Sequence, residues 1–115
     1  MKVNSISGIT CDVQDLARTA EFYETIGFRR GKEDADRITF YVNWFFVTLV
    51  ARESDAPVKG AGVFTYVKVD DLDDYYQAVV AAGLKPEGEP EARHGQREFV
   101  LRDPDGYGLV FFEKK

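Results

Sequence analysis

Residues 94–113, HGQREFVLRDPDGYGLVFFE, decide the fold of this chain. Two apolar segments, residues 97–102 and 107–112, flank the tetrapeptide Asp103-Pro104-Asp105-Gly106. Proline at the second turn position presets φ, and glycine accepts a positive φ without steric cost, so these four residues predict a tight reversal. The flanking segments carry six large apolar residues with few charges among them, which is typical of strands covered on both faces. The sequence therefore predicts a β-hairpin that the rest of the chain must cover.

Two helices are predicted, each opened by an Asp-Leu pair and closed by a glycine. Asp15 precedes an apolar stripe that ends at Gly27, and Asp71 precedes a similar stripe that ends at Gly83. Aspartate can accept hydrogen bonds from the free N–H groups of a first turn, and glycine takes the left-handed conformation that closes a helix. Both spans cover 12 positions, and the second follows the first by 56 residues. This spacing indicates an internal repeat.

Strand patterns complete each repeat, so that each half has the order β, α, β, β, β. Residues 54–61 lose all periodicity and contain Pro57 and Gly60, which predicts a linker. We expect one α+β domain spanning residues 1–115, with module 1 at about 5–53 and module 2 at about 62–115. The predicted strands are residues 6–13, 28–32, 37–42, 45–51, 63–69, 97–102 and 107–112, with a short strand or an extended piece near residues 84–87.

Composition limits the classes of function. The net charge is −5, from 20 acidic and 15 basic residues, which argues against a nucleic-acid partner and is compatible with a cationic ligand, although solubility alone accounts for it. Cys11 is the one cysteine, so an intramolecular disulfide is excluded and a reducing cytoplasmic location is expected. No secretory signal and no apolar stretch of membrane-spanning length is visible, so we expect no membrane association.

Two motifs give the chain a resemblance to a known superfamily. Val13-Gln14-Asp15-Leu16, followed by Phe22-Tyr23 and Ile26-Gly27-Phe28, is similar to the pattern V-x-D-L … F-Y … L-G-F, and Arg102-Asp103-Pro104-Asp105-Gly106-Tyr107 is similar to D-P-D-G-N/Y. These patterns occur in the vicinal oxygen chelate superfamily, which includes glyoxalase I, extradiol dioxygenases, methylmalonyl-CoA epimerase and the bleomycin resistance proteins. The resemblance covers nearly the whole chain. It implies two βαβββ modules that form a curved eight-stranded mixed sheet, and a homodimer whose pockets lie where modules from two subunits meet.

The resemblance also implies four metal-ligand positions, one on each of two central strands in each module. Enzymes of the superfamily place a His or a carboxylate there. The corresponding residues here are Gly8, Phe64 and Val110, with Thr48 as the nearest polar candidate for the fourth position. Without these ligands the chain lacks the Lewis acid of glyoxalase and dioxygenase chemistry, so we expect no metal, no cofactor and no catalytic residue.

The segment GQREFVLRDPDG is more similar to the G-R-E-F-x-L-R-D-P segment of the bleomycin resistance proteins than to its glyoxalase counterpart. Those relatives lack metal ligands and sequester a flat, cationic drug. The leading hypothesis is therefore a non-catalytic protein that binds an aromatic or cationic natural product such as a bleomycin-type antibiotic. The alternatives are a metal-dependent lyase, isomerase or dioxygenase, and a regulatory or interaction module whose pocket is filled by its own aromatic side chains.

The candidate ligand contacts are mostly aromatic, because nine Phe, six Tyr and one Trp are present. Aromatic faces bind planar rings and cations, while core packing is the competing role for any single Phe. Arg97 and Glu98 are adjacent on one strand, so only one of them faces the ligand side, and Asp12 is either a contact for a cation or part of the helix entry. His94 lacks an identifiable catalytic partner and is expected at a loop tip. The predicted ligand-binding set is Asp12, Phe40, Trp44, Phe46, Thr48, Phe64, Tyr66, Arg97, Val110 and Phe112.

Overall fold

The computed structural model describes residues 1–52, 60, 62–93 and 95–114. The chain divides into two compact units, Met1–Val58 (unit 1) and Lys59–Lys115 (unit 2). The predicted linker, apart from Gly60, and the predicted loop-tip residue His94 lie outside the described residues. Unit 1 contains β1 (Gly8–Val13), α1 (Leu16–Thr25), β2 (Arg29–Glu33), β3 (Arg37–Val42) and β4 (Phe45–Ala51). Unit 2 contains β5 (Phe64–Lys68), α2 (Leu72–Ala81), β6 (Glu91–Arg93), β7 (Gln96–Arg102) and β8 (Gly108–Lys114).

Each unit has the element order βαβββ, which confirms the predicted α+β class and the two modules. The eight strands belong to two four-stranded mixed sheets, with the orders β1-β4-β3-β2 and β5-β8-β7-β6. In each sheet the first strand of the unit runs parallel to the last strand, and the other neighbours are antiparallel. Within the described residues, neither helix combines the length and the apolar character needed to cross a bilayer.

The two helices begin in the same way. The carboxylate of Asp15 accepts a hydrogen bond from the backbone N–H of Arg18 at 3.1 Å, and that of Asp71 accepts one from Asp74 at 3.0 Å. Each bond satisfies one of the N–H groups that a first turn leaves without an intrahelical partner. The helix starts predicted from the two Asp-Leu pairs are therefore confirmed.

The two helices also end in the same way, on glycines with positive φ. Gly27 has φ 105° and Gly83 has φ 86°. Beyond them, the N–H of Phe28 donates to the carbonyl of Tyr23 at 3.0 Å, and the N–H of Leu84 donates to that of Val79 at 3.3 Å. The N–H groups of Gly27 and Gly83 each donate to the carbonyl three residues earlier. Together the two bonds at each helix end form a Schellman motif.

The predicted hairpin is present as β7 and β8. The carboxylate of Asp103 accepts hydrogen bonds from the backbone N–H groups of Asp105 at 2.8 Å and Tyr107 at 3.0 Å, and the N–H of Gly106 donates to the Asp103 carbonyl. An aspartate that caps its own turn in this way fixes the reversal. The strands it joins are longer than the pattern predicted, since β7 begins at Gln96 and β8 reaches Lys114.

Of the two alternatives for residues 84–87, the strand is wrong, because β6 lies at Glu91–Arg93. The N–H of Glu87 still donates to the carbonyl of Val100 at 2.9 Å. Pro86 and Pro90 have no backbone N–H to offer a neighbouring strand, which limits pairing before residue 91. Residues 91–93 pair instead with residues 96–98. Gly95, with φ 81°, supplies a backbone conformation in the reversal that other residues rarely adopt.

Aromatic contacts fix which side of each sheet carries the helix. Tyr23 of α1 lies 6.0 Å from Phe40 of β3, measured between ring centroids. Tyr75 of α2 lies 6.3 Å from Phe99 and 4.6 Å from Phe111, on β7 and β8. Side chains alternate along a strand, so the neighbours of these residues point to the opposite side, which we call the helix-free face of each unit.

Candidate functional site

The helix-free face of unit 1 is polar at its centre and aromatic at one end. Residues paired across neighbouring strands share a face, so the strand register gives its layout. Three rows of side chains cross the sheet from β1: Gly8, Phe46, Tyr41 and Arg29; Thr10, Thr48 and Thr39; Asp12, Val50 and Arg37.

The helix-free face of unit 2 has the same layout with different chemistry. Its centre is apolar, and it carries aromatic rings at both ends and carboxylates toward β6. The equivalent rows from β5 are Phe64, Gly108 and Arg102; Tyr66, Val110 and Val100; Lys68, Phe112, Glu98 and Glu91. Val110 occupies in unit 2 the place that Thr48 occupies in unit 1.

A glycine lies beneath an aromatic ring in the first row of both units. A β-carbon added to Gly8 would be 2.4 Å from the ring of Phe46, and one added to Gly108 would be 2.4 Å from the ring of Phe64. The positions of the two residue types are reversed between the units. In unit 1 the glycine is on β1 and the aromatic residue on β4, whereas in unit 2 the aromatic residue is on β5 and the glycine on β8. In each case the ring can lie flat against the sheet only because the neighbouring strand lacks a side chain.

The Phe64 ring also contacts a cationic side chain. The guanidinium carbon of Arg102 lies 4.5 Å from the centroid of the Phe64 ring, within the range of a cation–π contact. The same guanidinium group donates to the Glu87 carboxylate at 2.9 Å and to the Gly106 carbonyl at 2.9 Å. The hairpin turn and the aromatic end of the helix-free face are thus connected through one side chain.

The accessible rings of the predicted set lie mainly on β5 of unit 2. Tyr66 is 59% exposed and Phe64 is 46% exposed, and Tyr66 makes an edge contact with Phe112 at 6.1 Å between centroids. In unit 1, Trp44 is 65% exposed in the β3–β4 turn and contacts Phe45. The structure therefore brings Phe64, Tyr66, Val110 and Phe112 onto one face of unit 2.

Threonine hydroxyls occupy the centre of the unit 1 face. The hydroxyl of Thr48 is 2.9 Å from that of Thr39, and Thr10 is the register partner of Thr48 on the other side. Thr48 is buried, whereas Asp12 at the far end of the face is exposed. This face offers hydroxyl groups to a ligand, in contrast to the aromatic face of unit 2.

Two residues of the predicted set lie on the helix side. Phe40 is fully buried against Tyr23, so it belongs to the core of unit 1. Arg97 pairs with both carboxylate oxygens of Asp73 on α2, each at 3.0 Å, and with Glu113 at 3.1 Å. The hydrogen bonds from Arg97 lower the pKa of the Asp73 carboxyl. Both side chains stabilise the packing of a helix on its sheet, and neither reaches the helix-free face.

Glu98 is a buried residue of the helix-free face of unit 2 that the predicted set omitted. It is only 5% exposed, and its register partner on β8 is Phe112. The signal that could have identified it is the alternation around Phe99, whose apolar ring belongs in a core. Because Phe99 faces the helix, both Arg97 and residue 101 share its side, and Glu98 faces the other way.

The four metal-ligand positions do not fit a metal ion. Gly8, Phe64 and Val110 have no side-chain donor atom, and the hydroxyl of Thr48 is engaged with that of Thr39. In the part of the chain that the structure describes, no three His, Cys, Asp or Glu side chains lie together in a way that could hold a metal ion. Hydroxyl and apolar groups are poor ligands for the divalent ions of this chemistry, so we derive no step through a metal.

The sequence from residue 6 to residue 111 matches the model of a protein family described as the Glyoxalase/Bleomycin resistance protein/Dioxygenase superfamily. The chain belongs to this superfamily. The match includes both units, in agreement with the resemblance that the two motifs carry. No protein of curated function matches the sequence significantly.

Solved structures are similar to this chain over nearly its whole length. An integron cassette protein from the mobile metagenome of V. cholerae has a TM-score of 0.86 at 22% identity, with 100% of this chain and 98% of that chain covered. A virulence protein from Salmonella typhimurium has a TM-score of 0.84 at 20% identity, with both chains fully covered. A bleomycin resistance determinant encoded on the transposon Tn5 has a TM-score of 0.78 at 22% identity, covering 97% and 99%. At these identities the similarity establishes the fold alone.

Proposed function

We propose that this member of the superfamily is a non-catalytic small-molecule binding protein that sequesters an aromatic or cationic natural product of the bleomycin type. The observation that carries the proposal is the accessible aromatic surface of unit 2, where Phe64 and Tyr66 are about half exposed and Tyr66 contacts Phe112. A flat ring stacked on such side chains gains about 0.5–1.5 kcal/mol per aromatic contact beyond its buried area. A cationic ligand also benefits from the net charge of −5.

The chemistry of the four family positions supports binding over catalysis. Gly8 and Phe64 occupy the first row of each unit, and Thr48 and Val110 occupy the centre. Unit 1 contributes one hydroxyl group at these positions and unit 2 contributes one ring, but none of the four residues is a general acid, a general base or a normal metal ligand. The competing hypothesis of a metal-dependent lyase, isomerase or dioxygenase requires a tightly bound divalent ion, so elemental analysis of the purified protein distinguishes the two.

We also propose that the two units form a single glyoxalase/bleomycin-resistance-like domain and that the chain acts as a cytoplasmic homodimer. The exposed aromatic side chains of Trp44 and Tyr66 support a partner for these surfaces, either a ligand or a second subunit. The single buried cysteine, Cys11, is compatible with a reducing compartment.

Calorimetric titration with metal-free bleomycin, and with acridine orange as a simple flat aromatic cation, tests the proposed function. We expect saturable binding by the wild-type protein. Tyr66→Ala should weaken it by about 1 kcal/mol, roughly fivefold, because one ring contact is lost. Val80→Ala is the matched control, since Val80 is an exposed apolar residue on α2.

The sole tryptophan, Trp44, provides an independent fluorescence signal in the same titration. Absence of saturable binding to both compounds would contradict the proposal. Equal affinities of the Tyr66→Ala and Val80→Ala variants would contradict the assignment of the aromatic face of unit 2. A stoichiometric divalent ion in the purified protein would favour the enzymatic hypothesis instead.

A further inference from the structure

Unit 2 contains a cavity of about 260 Å³ beside β6 and β7. Four glutamates line it, Glu87, Glu89, Glu91 and Glu98, together with a single basic residue, Arg93. The cavity is therefore strongly acidic. Its volume lies below the range of roughly 300–1,000 Å³ for drug-sized ligands, so it suits a small molecule or one group of a larger ligand.

The charges that line the cavity are not balanced by the side chains around them. Glu91 is paired with Arg93, and Glu87 is paired with Arg102 at 2.9 Å. Among the described residues, no basic side chain forms an ion pair with Glu89 or Glu98. Two negative charges at this cavity thus lack a counter-charge from the described part of the protein.

Glu98 is the more informative of these two carboxylates because it is buried. Only 5% of the residue is exposed, and no group in the described residues donates a hydrogen bond to its carboxylate. Most of the residue is removed from water, although its carboxylate oxygens are not among the fully buried atoms without a partner. A poorly hydrated carboxylate without a counter-charge favours the binding of a cation. The side chain lies on the helix-free face and lines the cavity.

We propose that this cavity binds an organic cation, an alkylammonium or guanidinium group, with Glu98 as its counter-ion. The described carboxylates do not gather into a group of three that could hold a metal ion, and a spread of negative charge suits a larger organic cation better. An ammonium group donates three hydrogen bonds and a guanidinium group five, which matches a site with several acceptors.

The inference rests on the proposed function, and it adds a position for the charged group of the ligand. Glu98 is the direct cross-strand neighbour of Phe112, whose ring lies 6.1 Å from that of Tyr66. Glu98, which lines the acidic cavity, is therefore a direct neighbour of the aromatic surface on the helix-free face of unit 2. A ligand with a flat ring and a basic side arm can use both.

Binding of butylammonium, followed by amide chemical shifts in a heteronuclear NMR titration, tests this subsite without the aromatic part of any ligand. We expect saturable shifts centred on residues 87–98, and no such response to 1-butanol, which has similar size and no charge. Glu98→Gln keeps the shape of the side chain and should weaken binding at least tenfold. Glu21→Gln removes an exposed carboxylate from α1 and should leave binding unchanged.

A second variant guards against a folding defect in Glu98→Gln. Glu89 is exposed and lines the same cavity, so Glu89→Gln should weaken butylammonium binding by about twofold to threefold without affecting the fold. Equal binding by the Glu98→Gln and Glu21→Gln variants, or equal shifts with 1-butanol, would overturn the inference. Saturable bleomycin binding without butylammonium binding would overturn the subsite alone, whereas butylammonium binding without binding of either aromatic compound would overturn only the proposed function.

Discussion

The ring of Phe64 lies across Gly108 so closely that a β-carbon on the glycine would stand 2.4 Å from Cδ1 of the ring. The three nearest atoms that such a β-carbon meets all belong to the Phe64 side chain, which is about half exposed, so the ring can move aside at the cost of its contact with Arg102. Gly8 differs, because its β-carbon would also meet the carbonyl oxygen of Phe46 at 2.4 Å, and backbone atoms move less easily. The two glycines thus lie in equivalent rows, on different strands of their units, and tolerate a side chain differently.

We therefore expect Gly108→Ala to lower the free energy of unfolding by about 1 kcal/mol and Gly8→Ala to lower it by about 2–3 kcal/mol. Urea unfolding measures both. Adding Phe64→Ala should relieve most of the Gly108→Ala cost, while adding Phe46→Ala should leave most of the Gly8→Ala cost in place, since the carbonyl oxygen remains. Identical costs, or equal relief in both pairs, would contradict this account.

Phe40 and Tyr66 provide a second comparison, between an aromatic residue of the core and one of the helix-free face. Phe40→Ala should destabilise the protein by about 3–5 kcal/mol, because a fully buried ring leaves a cavity. Tyr66→Ala should change stability by less than about 1 kcal/mol, because most of its surface is already in contact with water. Urea unfolding again gives the measurement, and a large loss in Tyr66→Ala would show that this ring is structural.

The Asp73–Arg97 pair predicts a component of acid sensitivity. The hydrogen bonds that Arg97 donates lower the pKa of the Asp73 carboxyl in the folded protein. The carboxyl therefore binds a proton more readily in the unfolded chain. The stabilisation is present above the ordinary aspartate pKa and is lost as the pH falls through the lower folded value. The difference in unfolding free energy between the wild type and Asp73→Asn should thus shrink as the pH falls below the ordinary aspartate pKa and through the lower folded value.

Asp34→Asn, an exposed position between β2 and β3, is the control for this measurement. The difference between wild type and control should show a smaller dependence on pH over the same range. A constant difference between wild type and Asp73→Asn from pH 7 to pH 2 would mean that the carboxylate does not contribute through its charge.

The proposed homodimer predicts a particle of twice the 13.0 kDa chain mass in light scattering coupled to gel filtration. Dissociation on dilution should expose tyrosine and tryptophan side chains and lower the thermal midpoint, because association stabilises the folded state by mass action. A single 13.0 kDa species at all concentrations would contradict the dimer.

The proposed single domain predicts one cooperative unfolding transition. Coincident curves from Trp44 fluorescence, which reports on unit 1, and from far-ultraviolet circular dichroism, which reports on both units, are expected. Two separated transitions would mean that the units fold as independent domains.

The parts of the fold that sequence predicted best are those with local chemical signals. Asp15 and Gly27 mark the ends of α1 through their own hydrogen bonds and backbone angles, and the same is true of α2. The segment that forms β6 has no such signal. Residues 91–93 read Glu-Ala-Arg, without β-branched or aromatic residues, and become a strand because β7 offers a free edge.

The candidate site was harder to predict, because the side of the sheet on which a strand residue lies depends on tertiary packing. The continuous apolar run in β4 hides which residues alternate, and only the contact of Phe40 with Tyr23 determines that Thr48 lies on the helix-free face. Tertiary packing also decides which of Arg97 and Glu98 lies on the helix-free face. Charge alone does not distinguish them, whereas the packing of Phe99 against α2 does.

The identical helix ends and the different helix-free faces have a consequence for engineering. The residues that define the ends of each helix lie at the helix termini and in the flanking turns: Asp15 and Gly27 in unit 1, Asp71 and Gly83 in unit 2. The side chains that would select a ligand lie at alternate strand positions, which are separate from the residues that define the helix ends. The binding preference of each face can therefore be redesigned separately, by exchanging threonine and aromatic residues, while the residues that define the helix ends stay unchanged.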